Sequence, residues 1–134
     1  MSSKSMLKEL LKRKFDCGEQ MNQNLKYHHL GIPTKEKREN ETYLKEHKVY
    51  VSGYETSEYK IEWMRYEDES PINELVKKIP HVAFEVDDVE EAIKGKQVLI
   101  QPNSPSPGVL VAFILENGAP IEFIQIDKSA KGIS

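Results

Sequence analysis

The 134-residue chain has a single cysteine, Cys17, and a single tryptophan. One thiol cannot close an intrachain disulfide, and without a cysteine cluster no thiolate zinc site can form. Any metal must therefore be held by His, Asp or Glu. Long apolar runs are also lacking. None approaches the roughly 20 residues of a membrane helix, and no apolar segment of a secretion signal follows the start. A cytoplasmic protein with no membrane partner is expected. Neither sign of charge dominates, with 19 Lys plus Arg against 22 Asp plus Glu and a net charge of −3. Nucleic acid is not expected as a partner, because binding phosphates needs concentrated positive charge. A phosphate-cradling glycine loop and a nucleophilic Ser or Cys elbow are missing too. What remains is 38% hydrophobic and 31% charged residues, the balance of one globular domain or of two small modules sharing a core.

Residues 1–24 differ from the rest. Leu7, Leu10, Leu11 and Phe15 fall at helical spacing, with Lys4, Lys8, Lys12, Arg13 and Lys14 around them. This predicts an amphipathic helical extension that packs on the domain or on a partner chain. A basic membrane-surface helix is the sharper alternative, but the segment is short and has no Trp. Gly18 and the polar run 19–24 separate it from a single domain over residues 25–134.

From Lys26 onward the pattern reads as a duplication. Module 1, residues 26–68, has a strand at 27–34 (YHHLGIPT), a polar, helix-competent stretch at 35–48, and strands at 49–54 and 59–66. A helix over 70–79 follows, with Ser70 as its cap and Pro71 at its first position. Module 2, residues 80–127, restarts the scheme. It has a strand at 81–86 (HVAFEV), a short helix at 87–93 capped by Asp87 or Asp88, and a strand at 97–101. A Pro/Ser loop at 102–108, a strand at 109–115, an Asn117-Gly118 turn and a strand at 120–126 complete it. Each module opens with a His at the head of a strand, His29 or His81. Each closes with Ile-Glu-aromatic, at Ile61-Glu62-Trp63 and Ile121-Glu122-Phe123.

Side chains alternate along a strand, so parity assigns faces. His29 shares a face with Gly31 and Pro33, and His81 with Ala83 and Glu85. Both lie opposite the apolar stripes of Leu30 and Ile32, and of Val82 and Phe84. His28 falls on the packed face, and His47 in a solvated charged stretch. Glu122 shares its face with Ile124 and Ile126, and Glu62 with Met64 and Tyr66. A carboxylate buried on such a face must be paired, hydrogen-bonded or metal-bound. A sheet curled around a cavity would gather His29, Glu62, His81 and Glu122 into an N2O2 set suited to a divalent transition metal, with helices covering the outer face. For any one of the four, an ordinary structural role is the commoner outcome. Their recurrence at matching positions favours the site.

The pieces HHLGIPT, IEWMRYEDESPINELVKKIPHVAFEVDD and PSPGVLVAFILENGAPIEFIQ together resemble the vicinal oxygen chelate superfamily over most of residues 26–127. That superfamily includes glyoxalase I, methylmalonyl-CoA epimerase, extradiol dioxygenases and bleomycin-resistance proteins. The resemblance implies an α+β fold of two βαβββ modules forming a curled, partly open mixed sheet, and commonly a homodimer. It places metal ligands at His29, Glu62, His81 and Glu122. Two carboxylates look more like glyoxalase I than like the epimerase, where one ligand is usually Gln. Extradiol dioxygenases, with two His and one Glu around iron, fit less well. His29 to Glu62 spans 33 positions (62 − 29), against 41 from His81 to Glu122 (122 − 81). The shorter spacing predicts a first module reduced by about one strand, and so a more open cavity.

The resemblance implies a metal-dependent lyase or an isomerase or epimerase. One Zn, Ni, Co, Mn or Fe ion would stabilise the enolate of a small carbonyl or acyl-thioester substrate. Glu122 is expected to be the base, raised in proton affinity by its Ile-rich face, with Glu62 the second ligand or the opposing base. The alternative is a non-catalytic, small-molecule-binding protein like the bleomycin-resistance branch.

Overall fold

The computed structural model describes residues 24–127, so the helix expected over residues 1–24 falls, but for its last residue, outside the described residues. Eight strands run in chain order: β1 (Lys26–Pro33), β2 (Thr42–Leu44), β3 (Val49–Ser52), β4 (Ile61–Tyr66), β5 (His81–Glu85), β6 (Gln97–Ser106), β7 (Val109–Glu116) and β8 (Ala119–Ile126). Two short helices, α1 (Glu74–Lys78) and α2 (Val89–Ala92), lie before and after β5.

One mixed sheet takes all eight strands in the order β2-β3-β4-β1-β5-β8-β7-β6. Each half repeats one arrangement. The first strand pairs parallel with the last, β1 with β4 and β5 with β8, and the intervening strands add antiparallel outward. The halves join through the antiparallel pair β1–β5. Residues from both edges, Leu44 of β2 and Ile100 of β6, line the same cavity, so the sheet is curled into a half-barrel.

Strand β7 is buried on both faces, as its unbroken VLVAFIL run requires. Ala112 and Ile114 pack outward with Val86, Phe123 and the α2 residues Val89 and Ala92. Val111 packs inward with Ala83 and Ile124. Helix α2 is capped by the Asp88 side chain, which accepts from the Glu91 amide.

Three local readings are corrected. First, module 1 has four strands, so the element it loses is the helix rather than a strand. Residues 35–48 have no apolar stripe at helical spacing to bury, and Asn40 and Lys48 take positive φ values of 61° and 49°. A short strand, β2, forms there, and a bidentate Arg65–Glu41 pair at 2.7 and 2.9 Å ties down the preceding segment. Second, Asn73 rather than Ser70 caps α1, while Ser70 is buried and donates to the His47 carbonyl. Third, the expected loop at 102–108 is mostly strand. β6 runs on to Ser106 with repeated register shifts, and an edge strand tolerates Pro102 and Pro105 because its outer amides need no partner.

Candidate metal centre

The four central strands each contribute one candidate ligand to the concave face. β4 carries Glu62, β1 His29, β5 His81 and β8 Glu122. Pairing sets them in two rows. Glu62 and His81 flank Gly31 in one, while His29 and Glu122 flank Ala83 in the next. Adjacent strands are about 4.8 Å apart and successive rows about 7 Å apart. Long side chains can therefore meet only over a small residue. Gly31 and Ala83 supply that space, and the repeat of β1–β4 in β5–β8 supplies the symmetry.

The ring nitrogens of His29 and His81 and a carboxylate oxygen of Glu122 all lie within 4.8 Å of one another. Glu122 Oε1 is 3.4 Å from His29 Nε2 and 3.2 Å from His81 Nε2. Glu62 stands outside this trio, with Oε1 3.8 Å from His29 Nε2. Side-chain exposure rises from 1% at His81 through 8% at His29 and 12% at Glu122 to 22% at Glu62. The trio is thus the sealed part of the cluster and Glu62 its accessible member. Both ring nitrogens of His81 are buried with no aligned hydrogen-bond partner. Such nitrogens are costly unless something binds them, and a divalent cation shared with His29 and Glu122 would do so. Two imidazoles and a carboxylate are a common donor set for such an ion.

Electrostatics divide the two carboxylates. Burial opposes ionisation of Glu122, but bonding to His29 and His81 outweighs it and holds the carboxyl down at about 2. Burial dominates at Glu62, with the charge of Glu122 adding to it, and lifts that carboxyl above its ordinary range despite the pull of His29. The expectation that desolvation would raise Glu122 is therefore overturned, because two histidines share its oxygen. Burial alone would lower His29, yet its hydrogen bond to Glu122 raises it.

The metal-free pair has a pH signature. Lowered Glu122 contributes stability above its ordinary 4.5, lost as pH falls toward 2; raised His29 contributes below its ordinary 6.5, lost as pH rises through its folded value. The contribution is greatest between those ordinary values. Glu122→Gln is expected to cost about 1.5–3 kcal/mol there, the usual worth of hydrogen bonds to a charged group, and less on either side. Denaturant unfolding of metal-free protein at several pH values checks this, and a loss independent of pH would count against the pairing.

A cavity of about 330 Å³ opens on the cluster and includes all four residues in its lining. His47 lines it as well, so it is not merely a solvated residue. Tyr66 also lines it, its phenol held well above the ordinary range by burial and by the charges of Glu122 and Glu62. His28 was missed by parity. A register irregularity between Tyr27 and His29 sets its Nδ1 2.8 Å from His29 Nδ1, while its ring stacks on Tyr54 with centroids 5.2 Å apart. The only sequence signal was the doubled histidine. Burial, then the neighbouring His29, keep His28 below the ordinary histidine range. One of the two facing nitrogens must carry the proton. With a cation bound, donation from His29 Nδ1 to His28 would leave the His29 Nε2 lone pair free for the ion. His28→Phe keeps the stack but removes the acceptor, and is expected to weaken divalent-metal binding about tenfold. Competition with a chromophoric chelator measures this, and unchanged affinity would remove His28 from the site.

No family model matches this chain, and no curated protein does. Among solved structures it is similar to hypothetical protein BH1468 from Bacillus halodurans C-125, with a TM-score of 0.59 and 24% sequence identity over 84% of this chain and 100% of that one. What the two share is a fold, the curled mixed sheet on whose concave face His29, His81 and Glu122 converge.

Proposed function

We propose that the protein is a metal-dependent lyase or isomerase of the vicinal oxygen chelate type, acting at a carbon next to a carbonyl. The observation that carries this reading is the convergence of His29, His81 and Glu122 on one cavity, with Nδ1 of His81 buried and unpartnered and its buried Nε2 facing Glu122 Oε1 at 3.2 Å without an aligned hydrogen bond. A divalent cation held by these three would polarise a carbonyl oxygen and stabilise the negative charge that develops as the adjacent carbon loses its proton.

Glu62 is the base in this reading, reversing the roles expected for the two glutamates. It lines the cavity, lies outside the trio and is the most accessible carboxylate of the cluster. Its carboxylate takes the proton, the C–H electron pair moves toward the carbonyl oxygen, and the proton returns to the same or the neighbouring carbon. Glu122, ionised and shared by two histidines, keeps to holding the ion.

Dialysis against zinc, nickel, cobalt or manganese followed by elemental analysis is expected to give about one equivalent per chain. The loaded protein should then exchange the carbon-bound protons of hydroxyacetone in deuterium oxide faster than zinc alone does, followed by proton NMR. Absence of bound metal would reject the reading. Bound metal without exchange would leave a binding protein on the same fold.

A further inference from the structure

The cavity's charge and size say what it accepts. Apart from the polar cluster its walls are largely apolar, with Val49, Met64, Val76, Ile100, Val111 and Phe113 among them. Neither Lys nor Arg is among the described residues that line it. A second cleft, of about 580 Å³, shares Glu62 with the cavity. Its lining carries Glu36, Glu39, Glu55 and Glu62 against Lys37 and Arg38, so it is net acidic at neutral pH. An anionic group therefore meets apolar walls in the cavity and net negative charge in the cleft that shares Glu62 with it. Moving a carboxylate or phosphate into apolar surroundings without a countercharge is costly.

We infer that the substrate is a neutral, vicinally oxygenated carbonyl compound with an aryl or branched-alkyl tail, rather than a phosphorylated or carboxylated one or a coenzyme A thioester. This rests on the metal-centre reading for its oxygenated head and on the cavity alone for its tail. The head reaches His29, His81 and Glu122, and the tail lies among the apolar walls. At about 30 Å³ per water share, 330 Å³ corresponds to an occupant on the order of ten non-hydrogen atoms. A phenyl or branched five-carbon tail on a two-carbon oxygenated head is of that size.

The test uses three probes with one head and different tails: phenacyl alcohol, hydroxyacetone and para-carboxyphenacyl alcohol. Each is titrated into zinc-loaded and metal-free wild-type protein and followed by amide NMR shifts, with acetyl-coenzyme A as a fourth ligand. Phenacyl alcohol is expected to bind at least about tenfold tighter than hydroxyacetone, because a phenyl ring is taken from water, and at least about tenfold tighter than its carboxylated analogue. The same order is expected without metal at lower affinity, and acetyl-coenzyme A is expected not to shift the cavity residues. Equal affinity for the three tails, tighter binding of the carboxylate or of acetyl-coenzyme A, or no binding at all overturns the inference. If the tail order holds but zinc changes no affinity, the tail assignment stands and the metal-centre reading is what fails. If zinc strengthens all three probes equally with no tail order, the metal-centre reading stands and this inference fails.

Discussion

Glu62→Gln is expected to leave divalent-metal binding nearly unchanged while slowing proton exchange at the substrate carbon by about a hundredfold to ten-thousandfold, the usual worth of a positioned base. The amide fills the same space and still accepts a hydrogen bond, but it cannot take a proton. Glu62 is the carboxylate for this role because it is separated from the trio. Its oxygen is 3.8 Å from His29 Nε2, whereas Glu122 Oε1 approaches both imidazoles at 3.4 and 3.2 Å. Burial raises its proton affinity, so a transferred proton is held rather than lost at once. A bound dication would pull that affinity back toward the ordinary carboxylate range. Exchange in the loaded wild type should therefore rise with pH as Glu62 ionises, and the Gln variant should lack that limb. The contrasting change, Glu122→Gln, is expected to reduce metal affinity about a hundredfold. A four-ligand structural zinc site is worth about 10–16 kcal/mol, or about 3 kcal/mol per ligand. If Glu62→Gln instead loses the metal, the four-ligand N2O2 arrangement expected from the sequence is the correct one and the base lies elsewhere.

Period-two alternation made most of the concave face legible. His29, His81, Glu62 and Glu122 each sit on an odd–even pattern that a straight strand preserves, and the recurrence of His and Ile-Glu-aromatic marked the duplication. The same rule misplaced His28, because a register irregularity next to it breaks the alternation locally, and nothing in YHHL announces one. The shorter His29–Glu62 spacing, for its part, led to a module short of a strand. The 33-residue spacing in fact reflects a lost helix, and β2, with only Thr42, Tyr43 and Leu44, is too short and too exposed to show a pattern. The extension of β6 past Pro102 was hidden because proline usually ends a strand, and only an edge position permits it. The charge state of Glu122 needed three dimensions. Its Ile neighbours in sequence argue for desolvation, but the two histidines that outweigh it come from strands 93 and 41 residues away (122 − 29 and 122 − 81).

Gly31→Ala is expected to weaken metal binding about a hundredfold, as much as deleting a ligand, without removing any polar atom of the site. A Cβ at this position would collide with Cε1 of His81 and lie 2.7 Å from its Nε2 and 2.9 Å from its Nδ1. Three atoms of one ring cannot all yield by small adjustments, so the imidazole must leave its place over β1. Phe113 blocks its retreat, packed edge-on with ring centroids 5.0 Å apart. His29 closes another side at 5.5 Å. Misfit of this kind in a packed interior costs about 1–3 kcal/mol, so the protein should fold with a lowered midpoint of thermal unfolding. The effect comes from contact and not from backbone conformation, which predicts relief by making room. Phe113→Leu combined with Gly31→Ala should recover part of both the metal affinity and the stability, and the two changes should be non-additive because they act on one ring. Wild-type metal affinity in Gly31→Ala would mean that His81 does not bind the ion from this position. Additive effects in the double variant would mean that the ring is not what Gly31 accommodates.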